Sequence, residues 1–407
     1  MDLKFRAFEE NESNPKFEDP CGPVKSLRVR EAQFNGASCA FSSKINRLAW
    51  SDPRHRQAEK QEETIMAYHF KNLVFEGGGV KGIAYIGAMQ VLKDEGILSV
   101  IERVGGTSAG AINATLFALG FSIAEQRAIL NRLNFENFMD DTWGIVRDTN
   151  RLLNKFGWYK GDFFHQWISR HIKKKLGDAN ATFRHLKEAK KPDLYVYGTN
   201  LSTHFGEVFS IEHTPNVRIA DAVRISMSIP LFFAAVRNPR DDVYVDGGVL
   251  DNYPIKLFDR QKYIDPANLP KMAKEREYYQ KENKRFLKKH PSSSPYVYNK
   301  ETLGFRLDSK QEIGVFRYGA EPAHKKIDDF FDYIEALVST IMESQANSHL
   351  HSDDWHRTIY IDTLGVKTTE FDLSDVKKKK LEESGRKGAV AYLNWFNSPE
   401  SDPFNRP

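Results

Sequence analysis

Short apolar runs that end in glycine-rich turns alternate with helix-periodic stretches in the first part of the core sequence. An apolar run at Asn72–Phe75 precedes one glycine turn, and apolar positions then recur with helical spacing from about Gly82 to Glu95, where Gly96 supplies a C-terminal cap. A second apolar run, Val100–Val104, leads through another glycine turn into a helical pattern over Ala109–Leu119. The order strand, helix, strand, helix is typical of a parallel sheet, so the pattern predicts an α/β fold.

The rest of the chain continues the same mixture of elements. Further strands are predicted at Leu194–Thr199, at Val208–Ile211, in the residues leading to Asp246, and at Thr358–Asp362. Further helices are predicted at Ile219–Ile225, at about Asp328–Asn347, and from an N-cap at Ser374 to Phe396, with an interruption near Gly385.

The pattern divides the chain into four segments. Residues 1–65 are polar without periodicity, so they are predicted to be disordered or loosely packed. Residues 66–262 carry the strand–helix units and form the predicted core, which translation from Met66 would still yield complete. Residues 263–325 are dense in charge and are interpreted as a surface insertion. Residues 326–407 supply the helices and the strand that complete the α/β domain.

Composition and charge narrow the class of protein. Of the 407 residues, 40% are hydrophobic and 28% are charged, which is ordinary for a soluble globular protein. No apolar run approaches the roughly 18 residues that span a bilayer, and the N-terminus lacks the apolar segment of a signal peptide, so we expect no transmembrane anchor and a cytoplasmic location. Cys21 and Cys39 build neither a disulfide framework nor a metal site. The net charge of +4 comes without a basic stripe interleaved with aromatics, which argues against nucleic-acid binding.

The second glycine turn carries a serine in a pattern typical of nucleophilic catalysis. Ser108 lies between a predicted strand and a predicted helix, flanked by Gly106 and Gly110. A serine at such a turn is held in a strained conformation with its hydroxyl exposed, and small flanking residues let the strand and the helix approach closely. The amino end of the helix adds a partial positive charge beside the serine. A simple packing turn is the alternative.

The first glycine turn, Gly77–Gly82, admits two interpretations. It matches the G-x-G-x-x-G pattern of dinucleotide-binding folds, with Glu102 about 20 residues further on, which would make the protein a Rossmann-type oxidoreductase. Alternatively, three consecutive glycines leave backbone N–H groups free to converge on a tetrahedral oxyanion, and Lys81 adds a positive charge. A Walker phosphate loop is disfavoured, because no Gly-Lys-Ser/Thr closes the pattern.

A carboxylate later in the chain favours the second interpretation. Asp246 ends a predicted strand and is followed by Gly247 and Gly248. An ordinary Asp-Gly turn is common, but a serine site needs a base, and a dinucleotide site leaves this carboxylate unexplained. The oxyanion loop, the serine and the carboxylate together form a complete set of groups for acyl transfer.

With these three motifs the chain resembles the patatin-like phospholipase family over about residues 69–260. That family has a glycine-rich oxyanion loop, a G-x-S-x-G turn and an Asp-Gly-Gly/Ala motif, and residues 226–233 also match a family segment that precedes the aspartate. The resemblance implies a three-layer α/β/α fold with a mainly parallel central sheet. It also implies Ser108 as the nucleophile and Asp246 as the general base.

The resemblance further implies which residues support the reaction. The amides of Gly77, Gly78 and Gly79 would form the oxyanion hole. The supporting positions would be Lys81, Gly82, Gly106, Gly110, Gly247 and Gly248. The chain departs from the family at Glu76, where Asp is frequent, and at Lys81, where Arg is frequent and where Lys cannot make a planar bidentate contact.

The resemblance implies a Ser–Asp dyad, and a Ser–Asp–His triad is the alternative. An aspartate with an ordinary pKa of about 3.9 is a poor base for a serine hydroxyl, so burial would have to raise the pKa of Asp246. In a triad the histidine would follow the aspartate, and the candidates are His290, His324, His349, His351 and His356. None of them lies in a recognisable motif, which favours the dyad.

We therefore expect a lipid acyl hydrolase of the phospholipase A or lysophospholipase type that forms an acyl-enzyme at Ser108 and uses neither a metal nor another cofactor. Its partners would be a phospholipid or another acyl lipid and, transiently, a membrane surface, giving peripheral membrane association without nucleic acid. Homo-oligomerisation is left open. A catalytically silent membrane-binding scaffold with the same fold is the alternative, beside the oxidoreductase.

Overall fold

The computed structural model describes residues 68–133, 154–309, 326–349 and 352–407, together with the isolated positions 137, 152, 321 and 324. The chain divides into two units, Met1–Ser51 and Asp52–Pro407, and all the described residues belong to the second. The predicted leader, the alternative start Met66 and the candidate His351 lie outside the described residues.

Strands and helices alternate over much of the described chain. The strands are β1 (Asn72–Phe75), β2 (Arg103–Thr107), β3 (Gly157–Tyr159), β4 (Asp193–Asn200), β5 (Phe205–Phe209), β6 (Leu231–Phe233), β7 (Val236–Arg237), β8 (Val243–Asp246), β9 (Ala273–Lys274), β10 (Tyr298–Asn299), β11 (Thr302–Asp308) and β12 (Thr358–Asp362). The α-helices are α1 (Tyr85–Asp94), α2 (Ala109–Ala118), α3 (Ile123–Asn131), α4 (Asp162–Leu176), α5 (Phe183–Glu188), α6 (Ile219–Ser226), α7 (Gly248–Asp251), α8 (Leu269–Met272), α9 (Glu277–Lys289), α10 (Phe330–His349) and α11 (Asp375–Asn397). Short 3₁₀ helices lie at Gly79–Ala84, Ile97–Val100, Ile255–Phe258, Gln261–Tyr263 and Ser352–Arg357. Of these described helices, none is both long enough and apolar enough to cross a bilayer.

The main sheet runs in the order β12–β11–β1–β2–β4–β8–β7, and β5 also pairs with β4. All pairs from β12 to β4 are parallel, whereas β5, β8 and β7 pair with their neighbours in antiparallel fashion. Two further pairs, β10–β9 and β3–β6, form small separate sheets. The predicted α/β fold with a mainly parallel central sheet is thus confirmed.

Both faces of the main sheet are covered by other parts of the chain. Successive residues of a strand point to opposite faces, so neighbouring residues of β1 pack into different cores. Leu73 and Phe75 of β1 belong to the larger core, which also contains residues of α1, α2 and α11, whereas Val74 belongs to a smaller core on the other face. That second face is covered by residues 253–263, which fold as 3₁₀ turns rather than as long helices. The three layers are therefore unequal in thickness.

Most predicted elements occur within a few residues of their predicted limits. Ser374 caps the last helix as predicted, since its side chain accepts a hydrogen bond from the Lys377 amide at 3.4 Å. The predicted interruption near Gly385 is wrong, because α11 is continuous. A Cβ on Gly385 would overlap the carbonyl oxygen of Ala84, so this glycine instead permits close contact between α11 and the start of α1.

One stretch that the sequence assigned to the surface insertion lies in the middle of the sheet. Strand β11 runs between β1 and β12 and is buried at every position. Two charged residues made this strand resemble surface sequence. Arg306 and Asp308 are buried within the strand, where they form an ion pair of 3.0 Å. The assignment of residues 302–308 to the insertion was therefore wrong. The charge-dense helix α9, by contrast, buries only Tyr279.

Candidate active site

The topology of the sheet brings the carboxyl ends of β2 and β8 together. Tyr197 of β4 pairs with Thr107, the last residue of β2, and the next residue, Gly198, pairs with Asp246, the last residue of β8. Because β5 occupies the other edge of β4, strands β2 and β8 share one edge and approach each other from opposite directions. Ser108, which directly follows Thr107, therefore lies beside Asp246.

Ser108 occupies a strained turn between β2 and α2. Its φ of 53° and ψ of −125° lie outside the regions that residues with a side chain prefer. Its amide donates a hydrogen bond to Ser226 Oγ at 2.9 Å, and that hydroxyl donates to the Tyr197 carbonyl oxygen at 2.7 Å. The sequence led us to expect an exposed hydroxyl, but Ser108 is only 1% exposed. The turn has the strained geometry of a nucleophile elbow, closed off from solvent.

The glycines on either side of Ser108 are required by close packing. A Cβ on Gly110 would overlap the backbone at the end of β1, and a Cβ on Gly106 would lie 2.7 Å from the Gly110 backbone. A side chain at either position would push α2 away from β1 and displace the serine. Two of the three other supporting glycines are also confined, Gly82 by Ala109 and Gly247 by the Tyr197 backbone.

Asp246 is fully buried at the end of β8. Its Oδ1 accepts a hydrogen bond from the Gly248 amide at 2.8 Å, and its own amide donates to the Ser228 carbonyl oxygen at 2.8 Å. Burial raises the pKa of the Asp246 carboxyl group to about 7, although the hydrogen bond from the Gly248 amide and the nearby Ser108 hydroxyl oppose the rise. Among the described residues, Asp246 Oδ2 accepts no hydrogen bond. A carboxylate with this pKa is a much stronger base than an exposed aspartate.

Three consecutive residues at the end of α6 contact the serine and the aspartate. Ser226 Oγ accepts a hydrogen bond from the Ser108 amide, and Met227 Sδ lies 3.6 Å from Ser108 Oγ. The Ser228 carbonyl oxygen accepts a hydrogen bond from the Asp246 amide. Sequence reasoning gave these residues no role of their own. The signal that could have found them is the match of residues 226–233 to the family segment before the aspartate.

The glycine loop adjoins Ser108, but its three amides differ in availability. A Cβ on Gly77 would stand 3.1 Å from Ser108 Cβ. The Gly77 amide already donates to the Asn252 carbonyl oxygen at 2.9 Å. In the described part of the chain, the amides of Gly78 and Gly79 donate to no acceptor. Two of the three glycine amides, rather than all three, are thus available to an oxyanion.

Asn252, to which the sequence assigned no role, fastens the glycine loop. Besides accepting the Gly77 amide, Asn252 donates from Nδ2 to the Gly77 carbonyl oxygen at 3.2 Å and to Glu76 Oε1 at 3.5 Å. On the other side of the loop, the Val80 amide donates to the Thr368 carbonyl oxygen at 3.2 Å. The loop is therefore held from two segments that are remote in sequence.

Glu76, a departure from the family pattern, is a buried carboxyl group behind this loop. The Leu307 amide donates to its Oε2 at 2.6 Å, and Arg306 Nε lies 3.9 Å from its Oε1. Burial raises the pKa of Glu76, the positive charges of Arg306 and Lys81 lower it, and Asp308 raises it again. Glu76 therefore ties the glycine loop to β11, and Lys81 contributes charge at the same place.

The residue required by the dinucleotide interpretation lies at the wrong end of the sheet. Glu102 precedes β2, where it forms ion pairs of 3.3 Å with Lys71 and Arg103. Since β1 and β2 are parallel and the glycine loop follows β1, Glu102 and the loop are separated by the length of a strand. Glu102 cannot hold a ribose whose phosphates bind at the loop.

The three triad candidates whose side chains are described make their contacts with residues other than Ser108 and Asp246. His290 contacts the Phe286 ring, His324 lies 4.0 Å from Glu321, and His356 accepts the Phe404 amide at 2.7 Å. The side chains of His349 and His351 are not among those described. No group of three or more His, Cys, Asp or Glu side chains among the described residues is arranged to hold a metal ion.

Comparisons with known proteins agree with these motifs. The family model for patatin-like phospholipase matches residues 73–259. The chain is 36% identical over 331 residues to an uncharacterized protein of Acanthamoeba polyphaga mimivirus, covering 81% of this chain and 95% of that protein. It is 24% identical over 189 residues to a probable lipid hydrolase of Invertebrate iridescent virus 6, covering 46% of this chain and 63% of that protein. Among solved structures, VipD from Legionella pneumophila aligns with a TM-score of 0.47 and 18% identity over 80% of this chain and 67% of the VipD chain. The chain belongs to the patatin-like phospholipase family.

Proposed function

We propose that this chain hydrolyses acyl esters of lipids, with Ser108 as the nucleophile and Asp246 as the general base. The observation that carries the proposal is a strained serine beside a buried carboxyl group whose pKa is raised to about 7. The main objection to a Ser–Asp dyad is that an ordinary aspartate is too weak a base for a serine hydroxyl. Burial of Asp246 answers that objection without a histidine.

In the first half-reaction, the Ser108 hydroxyl gives its proton to the Asp246 carboxylate while Oγ attacks the carbonyl carbon of the ester. The carbonyl oxygen takes up the negative charge of the tetrahedral intermediate. When the intermediate collapses, the bond to the leaving oxygen breaks and Asp246 returns the proton to that oxygen. An alcohol or a lysolipid departs, and the acyl group remains on Ser108.

The amides of Gly78 and Gly79 would stabilise the oxyanion. Gly77 would instead position the loop, because its amide is bound to Asn252. This oxyanion hole has two amide donors instead of the three that the resemblance implied. Loss of one such donor typically lowers turnover by about 100- to 1,000-fold, so correct placement of both amides matters greatly.

In the second half-reaction, a water molecule gives a proton to Asp246 and its oxygen attacks the acyl carbon. The new tetrahedral intermediate collapses by breaking the bond to Ser108 Oγ, which recovers the proton from Asp246. A free fatty acid leaves and the enzyme returns to its starting state. Because none of these steps uses a metal ion, we expect hydrolysis to persist in the presence of a chelator.

Lipid product analysis tests this function. Mixed phospholipid vesicles are incubated with the wild type, with Ser108→Ala, and with Ser99→Ala as a control at an exposed serine. Mass spectrometry should find free fatty acid and its lysolipid partner with the wild type and the control, and at least about 1,000-fold less with Ser108→Ala. Equal release by Ser108→Ala would contradict the assigned nucleophile. A wild type inactive on vesicles and on soluble esters would favour a silent scaffold.

A further inference from the structure

Helix α10 carries apolar side chains that the fold leaves exposed. Ile334 and Val338 are buried in the main core. Tyr333, Leu337 and Ile341 are exposed to 53%, 39% and 39%. At about 100° per residue, these five side chains fill one apolar arc of about 140° around the helix. The core covers one half of that arc, and Tyr333, Leu337 and Ile341 form an uncovered stripe, here called the α10 stripe.

The α10 stripe belongs to a helix that touches the catalytic segment. Helix α10 packs against α7 (Gly248–Asp251), which directly follows the catalytic aspartate and its neighbouring glycine. Near its start, Asp332 pairs with Lys367 at 3.8 Å, and the next residue, Thr368, holds the Val80 amide beside the oxyanion loop. The helix therefore adjoins the segments that carry the base and support the oxyanion hole.

We infer that the α10 stripe is the surface by which this protein docks on a lipid–water interface, an inference that rests on the proposed function. Long acyl chains remain in the lipid phase, because moving each CH₂ group into water is unfavourable. Ser108 and Asp246 are 1% and 0% exposed, so a lipid ester can react only if the catalytic edge lies directly against its source. An exposed apolar stripe beside that edge places it there.

The size and charge of the α10 stripe fit a lipid surface rather than a protein partner. Three half-exposed side chains offer a few hundred Å² at most, whereas a stable protein interface takes about 800 Å² from each partner. A helix that dips one apolar face into the headgroup region needs only such a shallow stripe. At the start of the helix, Asp328 pairs with Lys326 at 2.8 Å and Asp332 pairs with Lys367 at 3.8 Å, while Asp329 adds a negative charge. These charges form no basic patch that would attract anionic lipid. We therefore expect insertion into neutral phosphatidylcholine surfaces that withstands high salt.

Matched variants separate docking from catalysis. The test variant, Y333S/L337S/I341S, removes the stripe. The control variant, F205S/V376S, removes two apolar side chains that are even more exposed, at 71% and 63%, but lie on other elements. Co-sedimentation with phosphatidylcholine vesicles, vesicle hydrolysis and hydrolysis of a soluble short-chain ester are measured for each protein. Thermal unfolding of both variants checks that they are folded, as expected for changes at exposed positions.

The stripe variant should bind vesicles at least about 10-fold more weakly than the wild type and lose vesicle hydrolysis in proportion. Its soluble-ester activity should fall far less, and the control should bind like the wild type. Wild-type binding by the stripe variant, or an equal loss in the control, would overturn the inference. So would a wild-type dimer that the stripe variant breaks while keeping its vesicle binding. A wild type that binds vesicles through the stripe but hydrolyses neither substrate would contradict only the proposed function.

A spectroscopic measurement gives an independent test. In a chain with Cys21 and Cys39 changed to serine, an environment-sensitive dye is attached through Leu337→Cys or, as a control, through Phe205→Cys. Addition of phosphatidylcholine vesicles should shift the emission of the dye at position 337 to the blue and leave the dye at position 205 unchanged. The absence of a shift at position 337 would overturn the inference whatever the activity.

Discussion

In the proposed mechanism, the ionisation of Asp246 decides whether Ser108 can be activated. Only the carboxylate form can accept the serine proton, and burial raises the pKa of this group to about 7. We therefore expect kcat/KM on a soluble ester to rise about tenfold per pH unit up to about pH 7 and then to level off. Rates measured from about pH 5 to about pH 9 check this expectation. A flat profile across neutrality would count against Asp246 as the base.

The same rise in the pKa of Asp246 predicts that folding stability falls over the pH range in which activity rises. Because the pKa of Asp246 is higher in the folded chain than in the unfolded chain, folding stability is lost as the pH rises through about 7. Asp246→Asn removes that cost and keeps an acceptor for the Gly248 amide. Above about pH 8 the variant should be more stable than the wild type by an amount on the order of 2–4 kcal/mol, and the difference should shrink toward about pH 4. Urea unfolding at both pH values measures it, and a difference that does not change with pH would refute the shift.

Substitution of Asn252 tests whether the glycine loop Gly77–Gly82 depends on support from another segment. Asn252→Ala removes the Nδ2 hydrogen bond to the Gly77 carbonyl oxygen. We expect kcat to fall by about 10- to 100-fold with little change in KM, since a displaced loop weakens stabilisation of the transition state more than substrate binding. Steady-state kinetics check the split, with the exposed Asn268→Ala as a control that should behave as the wild type. A pure KM effect would show that Asn252 contacts substrate instead.

The sequence predicts where β2 and β8 end, but it does not predict that these two ends lie next to each other in the sheet. A glycine turn after an apolar run marks the end of a strand, which placed Ser108 and Asp246 correctly. Their proximity depends on β8 running antiparallel along the same edge of β4 as β2, and nothing in the local sequence specifies that pairing. The roles of Ser226 and Asn252 were missed for the same reason, because their partners are remote in sequence.

Strand β11 shows the other limit of pattern reasoning. Its apolar residues are interrupted by Arg306 and Asp308, which a pattern of hydrophobic and polar positions places at the surface. In the structure the two charges pair with each other, and Arg306 also faces Glu76, so the strand is buried with its charges compensated. Such compensation depends on a partner in β1's glycine turn, which the strand's own sequence does not reveal.

The close contact between α11 and the start of α1 can be tested by a substitution at Gly385. Gly385→Ala would place a Cβ against the Ala84 carbonyl oxygen. Helix propensity alone would make this change stabilising by about 1 kcal/mol. We expect instead a loss of at least about 2 kcal/mol in the free energy of unfolding, because the two elements must separate. Urea unfolding measures it beside the exposed Lys380→Ala, and a gain in stability for Gly385→Ala would disprove the close contact.

In the molecule as a whole, the region that matches the family model does not complete the site alone. The match ends at residue 259, whereas β11 and β12 extend the sheet beyond β1. From this later part, the Leu307 amide holds Glu76 and the Thr368 carbonyl holds the amide of Val80, on either side of the glycine loop. The described C-terminal residues are therefore part of the structure that holds the glycine loop, which is the proposed oxyanion hole.

We propose that Asp246 activates Ser108, and covalent labelling by a fluorophosphonate is a sharp test of this activation. Such a probe reacts with an activated serine, so peptide mass spectrometry should locate the adduct on Ser108 in the wild type and find none there in Ser108→Ala. In Asp246→Asn the labelling rate of Ser108 should fall by at least about 100-fold, since general-base catalysis is lost while the strained turn remains. An unchanged labelling rate in Asp246→Asn, or an adduct on a different serine, would contradict the claim.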